Sequence, residues 1–148
     1  LLADYPGDPY FSELKGDILF KNGKAMASVP FYQAAVDAAP DSPMLLMSLG
    51  RAQQETGDPA LIKTAIENLK RVVEIEPANP SAWRILGIAY GLNKQDPEAS
   101  LALAESAITS GDRARARALA ERAMKGLPTG SPGWLRAQDI SNAVGGSS

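Results

Sequence analysis

A glycine recurs inside three apolar segments of this chain, at Gly16, Gly50 and Gly87, with spacings of 34 and 37 residues. This recurrence constrains the fold more than any other feature. Inside a helix, Gly costs roughly 1 kcal/mol relative to Ala. Its return at a nearly fixed period therefore needs a packing reason. A missing Cβ gives a partner helix close access to the backbone, and burial of one large side chain there returns about 1.5–3 kcal/mol. The period then describes a repeated pair of packed helices.

The rest of the sequence agrees. Apolar residues follow a helical period, and turn signals interrupt them regularly at "GDPY", "KNGK", "APDSP", "TGDP", "EPANP", "KQDP", "SGD" and "LPTGSP". Eight helices are expected, over 9–21, 25–38, 43–56, 60–75, 80–92, 97–109, 113–126 and 131–142. Asp or Ser before Pro supplies an N-cap followed by a first-turn proline. Downstream of each repeated Gly comes a turn, then a helix with buried positions closed by a proline: Ser28, Tyr32, Ala35 and Pro40, then Ala65, Leu69, Val72 and Pro77. A last set, Ala116, Ala120, Ala123 and Pro128, follows the turn at Gly111-Asp112. Pro30 inside the second helix should kink it or delay its start.

This pattern resembles the tetratricopeptide repeat, a helix pair of about 34 residues with Trp, Leu-Gly and Tyr on its first helix. Trp83, Leu86, Gly87 and Tyr90 carry the full first-helix signature. Leu49-Gly50 carries part of it, and Gly16 only the glycine. Trp83 and Tyr90 are expected to fill the space on either side of Gly87. The resemblance implies an all-α fold of stacked antiparallel hairpins, an α-solenoid. Two irregularities are expected. Three extra residues lie near "PALIK", and the helix at 97–109 must serve both as partner of 80–92 and as partner of 113–126. The last helix, with Trp134, should cover the end of the stack. The domain is expected to run from 8 to 142, with a linker at 1–7 and a disordered tail at 143–148.

Composition removes many functions. The chain has no Cys and no His, so disulfides, thiol nucleophiles, His general bases and His-ligated zinc are excluded within it. Net charge is −2, too balanced for a nucleic-acid surface, although residues 80–148 carry 8 basic and 6 acidic groups. No stretch reaches the roughly 18 apolar residues of a membrane span. No phosphate-binding loop or nucleophile elbow is present, and no cofactor is expected. The absent initiator Met reads as a piece of a longer or processed chain. One charge run stands out, "DRARARALAERAMK" at 112–125: a solvated helix face with Arg117 and Glu121 paired, or a docking patch for an acidic partner or a lipid surface.

A second resemblance is to the C-terminal repeat region of bacterial periplasmic zinc metalloproteases, the HExxH gluzincin peptidases of the BepA type. It rests on "DPYFSELKGDILFKNGK", "GDPALIKTAIENLKRVVEIEPANPSAWRILGIAYG" and "GSPGWLRAQDI", from about 8 to 140. With no His, the HExxH helix cannot lie here, so the resemblance implies a non-catalytic tail. It also implies a periplasmic location, where composition alone fits the cytoplasm equally.

Helical spacing places Tyr10, Glu13, Asp17, Phe20 and Lys21 on the outer face of the first helix. The corresponding residues of the next first helix are Met44, Met47, Arg51, Gln54 and Glu55. In the third they are Ser81, Arg84, Ile88, Gly91 and Leu92. Phe20, Met47 and Ile88 are open between groove and core. A mixed surface with Met and aromatic contacts suits a peptide segment. Glu13 and Asp17 disfavour the capture of a C-terminal carboxylate. Three roles follow: a protein-interaction module that recruits substrate or docks to a partner complex, a regulatory domain packing on the protease's catalytic domain, or a stand-alone adaptor.

Overall fold

The computed structural model describes residues 8–145, and the expected linker and residues 146–148 of the expected tail lie outside that range. The described residues form eight α-helices and no strand. They run α1 (Pro9–Lys21), α2 (Ala25–Ala38), α3 (Pro43–Glu55), α4 (Pro59–Ile75), α5 (Pro80–Leu92), α6 (Asp96–Thr109), α7 (Arg113–Gly126) and α8 (Pro132–Gly145). Asp8 and Asp58 cap helix starts as read in the sequence, Asn79 is a further cap, and Asp96 is instead the first residue of α6, which has no side-chain cap. Asp8 accepts from the Tyr10 amide at 2.8 Å, Asp58 from the Ala60 amide at 2.9 Å and Asn79 from the Ala82 amide at 3.1 Å. α2 begins at Ala25, upstream of Pro30, so the proline does not delay it. α8 continues three residues past the expected end at 142, and Val144 packs against an apolar cluster there.

The described residues divide into two compact units, one ending at residue 75 and the other beginning at residue 76. In the first, α1 pairs with α2, α3 pairs with α4, and α2 packs on α3. The glycine notches explain the pairing. A Cβ at Gly16 would lie 2.9 Å from the Tyr32 ring, and one at Gly50 would lie 2.8 Å from Leu69 Cγ. Each partner sits in the following helix and is buried. The hairpin turns at Gly23 (φ 76°) and Gly57 (φ 73°) are left-handed, which suits glycine. The three extra residues near Pro59 are absorbed by α4, which runs 17 residues.

In the second unit, α6 lies along both α5 and α7, and α8 packs on α7 and reaches α6. The double role expected of this helix is thus present. A Cβ at Gly87 would meet Leu103 at 2.9 Å and the Ala99 carbonyl at 3.3 Å, so α6 fills the α5 notch. The sequence places the partner helix against the Gly87 backbone with Trp83 and Tyr90 on either side, and this arrangement is present. The two aromatics share the helix of Gly87, lie half-buried above and below it, and leave the notch to a side chain from the neighbour. Trp83 instead donates its indole N–H to the Pro77 carbonyl at 2.8 Å, closing the loop onto α5. On its other side α6 presents Ala104 and Ala107 to Ala116, Ala120 and Ala123 of α7 and to Ala137 and Ile140 of α8. Small side chains let these helices approach closely. Trp134 is half-buried at the start of α8, and the covering of this cluster falls to Ala137, Ile140 and Val144.

Candidate peptide-binding surface

In the first unit the candidate residues lie on two first helices, α1 and α3, and their burial differs. Tyr10 is 71% exposed and Met44 57%. Arg51 is exposed, whereas Glu13, Asp17, Phe20 and Met47 are half-buried. Gln54, expected on the surface, is only 5% exposed. The reason is its place one turn beyond Leu49-Gly50, where α3 is covered on most sides. Its Oε1 has no hydrogen-bond partner, as is also true of Glu13 Oε2. In the second unit Arg84 and Ile88 are both exposed on α5.

The structure joins several of these groups. The Arg51 guanidinium lies 5.7 Å from the centroid of the Phe20 ring, a cation–π distance that brings α1 and α3 together. The Tyr32 hydroxyl donates to Asp17 Oδ1 at 2.5 Å. Burial, then the hydrogen bond to Asp17, push the Tyr32 hydroxyl well above the ordinary phenol range. Burial, then the charge of Asp17, also push the Glu13 carboxyl up. The surface therefore offers apolar area from Tyr10, Phe20, Met44 and Met47, two carboxylates side by side, and one guanidinium.

Three supporting pairs were not read from the sequence. Asn68 donates to Gln53 Oε1 at 2.9 Å and ties α4 to α3. Arg71 pairs with Asp41, linking α4 to the α2–α3 turn. Arg136 Nε donates to Glu105 Oε1 at 2.8 Å, joining α8 to α6. Periodicity could mark each of these residues as polar but not name a partner on another helix.

The glycine notches, the capped hairpins and the positions of the buried residues define a tetratricopeptide-repeat fold. The family model described as Tetratricopeptide repeat matches residues 1–43. Two solved structures share the architecture at identities that speak to fold alone. One is a MamA RS-1 ArsTM double mutant, with a TM-score of 0.67 and 18% identity over 93% of this chain and 77% of that one. The other is a thermophilic TPR protein of Thermus thermophilus, with a TM-score of 0.54 and 20% identity over 94% of this chain and 84% of that one. In sequence, the chain is 30% identical over 131 residues to the Beta-barrel assembly-enhancing protease of Yersinia pestis. That match takes in 88% of this chain and 26% of that protein, so the chain spans about a quarter of the relative's length. Tetratricopeptide domains bind proteins or peptides. No described helix is long and apolar enough to cross a membrane.

Proposed function

We propose that this chain is a non-catalytic protein-interaction module, the repeat tail of a zinc metalloprotease, and that it recruits substrate or docks the protease to a partner complex. The observation that carries the reading is the mixed face of α1 and α3. Tyr10 and Met44 stay exposed there although apolar side chains of the same helices, such as Leu45, Leu46 and Leu49, are buried. An aromatic and a flexible thioether left in water beside Glu13, Asp17 and Arg51 suit a peptide with apolar anchors. The similarity to a protease supports a parent of that kind, and with it a periplasmic location.

Selection of displayed peptides on the purified chain, followed by calorimetry, tests the reading. Tyr10→Ala/Met44→Ala should weaken the selected peptides at least about tenfold, the worth of one lost anchor or more. Equal binding by the variant would remove this face from consideration. Casein turnover by the chain alone, with zinc added, would overturn the non-catalytic assignment. The protease relationship also favours a second role, gating of the active site by packing on the catalytic domain. Inhibition in trans of a protease lacking its repeat region would support that role over recruitment.

A further inference from the structure

The basic run at 112–125 is not used by the face just described. α7 carries Arg113, Arg115, Arg117, Arg122 and Lys125 against a single acidic residue, Glu121. Glu121 is taken by Arg117, Nε to Oε1 at 3.0 Å. Arg113 donates to the Ala143 carbonyl at 3.1 Å. Arg115, Arg122 and Lys125 are exposed and make no ion pair among the described residues.

These three cations are not scattered around the helix. Arg115 and Arg122 are seven residues apart, two turns and about 10 Å along one face, and Lys125 lies a turn further. Each end of this stripe borders a cavity against α6. A cavity of ≈ 70 Å³ is lined by Arg115 and Arg84 together with Ser106, Ser110 and Asp112. A larger one, ≈ 330 Å³, is lined by Arg122 and Lys125 together with Ser100 and Asp96. Each places two cations against one carboxylate. Asp112 is moreover engaged in capping α7, where its Oδ1 accepts from the Arg115 amide at 3.2 Å.

We infer that the α6–α7 face of the second unit is a docking site for an acidic protein segment, with carboxylates seated against Arg115 at one end and against Arg122 and Lys125 at the other. Charge complementarity selects this occupant. A lipid surface fits less well. A helix that lies on a bilayer must bury an apolar face in it, and the apolar face of α7 is already spent on Ala104, Ala107, Ala137 and Ile140. The cations also line recesses between two helices rather than a plane.

The test uses a labelled peptide of twelve glutamates, read by fluorescence anisotropy on the intact chain. Binding should exceed that of a twelve-glutamine peptide and weaken as salt rises from 50 to 300 mM. Arg115→Glu/Arg122→Glu/Lys125→Glu should lose at least about tenfold in affinity. Lys24→Glu/Lys63→Glu/Lys70→Glu, with the same change in net charge, should stay within about twofold. Tyr10→Ala/Met44→Ala should leave glutamate-peptide binding unchanged, which separates this site from the α1–α3 face. Equal effects of the two triple reversals would overturn the proposal, as would no preference for glutamate. Association with vesicles containing 30% phosphatidylserine that is lost on the α7 reversal, without glutamate-peptide binding, would assign the face to lipid instead.

Discussion

Gly16→Ala isolates the contact on which the first hairpin depends. The added Cβ would sit 2.9 Å from Tyr32 Cδ1 and Cε1 and 3.0 Å from Cζ. Carbon atoms prefer about 3.5–4.0 Å, so the ring must retreat by more than half an ångström. It has little room to do so. Tyr32 is 3% exposed, and its hydroxyl is held by Asp17 at 2.5 Å. Overpacking costs about 1–3 kcal/mol, and weakening a hydrogen bond to a charged group adds up to about 1.5 kcal/mol. Helix propensity returns about 1 kcal/mol. The net loss should be about 2 kcal/mol, a fall of roughly 4–8 °C in Tm for a chain of this size. Urea melts followed by circular dichroism measure it. The cycle with Tyr32→Ala is the sharper test. Once the ring is gone, Gly16→Ala should stabilise by about 1 kcal/mol, giving a coupling of about 3 kcal/mol. A coupling below about 0.5 kcal/mol, or stabilisation by Gly16→Ala in the wild-type background, would refute the notch argument.

Other outcomes follow from the same geometry. Tyr32 is held above its ordinary value of 10.0 by burial and by Asp17, so its contribution to stability is complete below that pH and is lost as pH rises beyond it. Phenolate absorbance should therefore show a late ionisation step, and Tyr32→Phe should remove it. Lys94 closes the α5–α6 turn with φ 60°. A left-handed non-glycine residue costs about 1–2 kcal/mol, so Lys94→Gly should stabilise by about 0.5–1 kcal/mol after the added chain entropy; a lower urea midpoint would contradict this. Arg136→Met leaves Glu105, whose side chain is 11% exposed, without its cation. Destabilisation of about 1–3 kcal/mol is expected, and Glu105→Gln in the same chain should recover part of it; no recovery would mean that the loss lies in packing.

Much of the fold was legible before any coordinates. Asp8 and Asp58 announce helix starts because capping is local chemistry, decided within three residues. The recurrence of Gly16, Gly50 and Gly87 announced the hairpins because a backbone approached by a neighbour must omit its Cβ wherever the approach recurs. Pattern could not say which side chain enters each notch. At Gly16 and Gly50 the turn and the next helix point to Tyr32 and Leu69. At Gly87 the occupant is Leu103 of α6, the helix whose place in the repeat is irregular in the sequence. The α1–α3 face shows the same division. Spacing put Tyr10, Glu13, Asp17, Met44 and Arg51 on outer faces, but it exposed Gln54 too, which neighbouring elements bury.

The sequence by itself thus determined the helices, their ends, the hairpin period and the absence of thiol and imidazole chemistry, since all of these rest on local preference or on residue identity. Only the tertiary structure decided that Leu103 enters the Gly87 notch, that Tyr32 is tied to Asp17, that Arg136 neutralises Glu105, and that Arg115, Arg122 and Lys125 border recesses and make no ion pair among the described residues. Those outcomes depend on which side chains meet across separate helices, and a periodic pattern encodes the direction of a side chain but not what waits at its end.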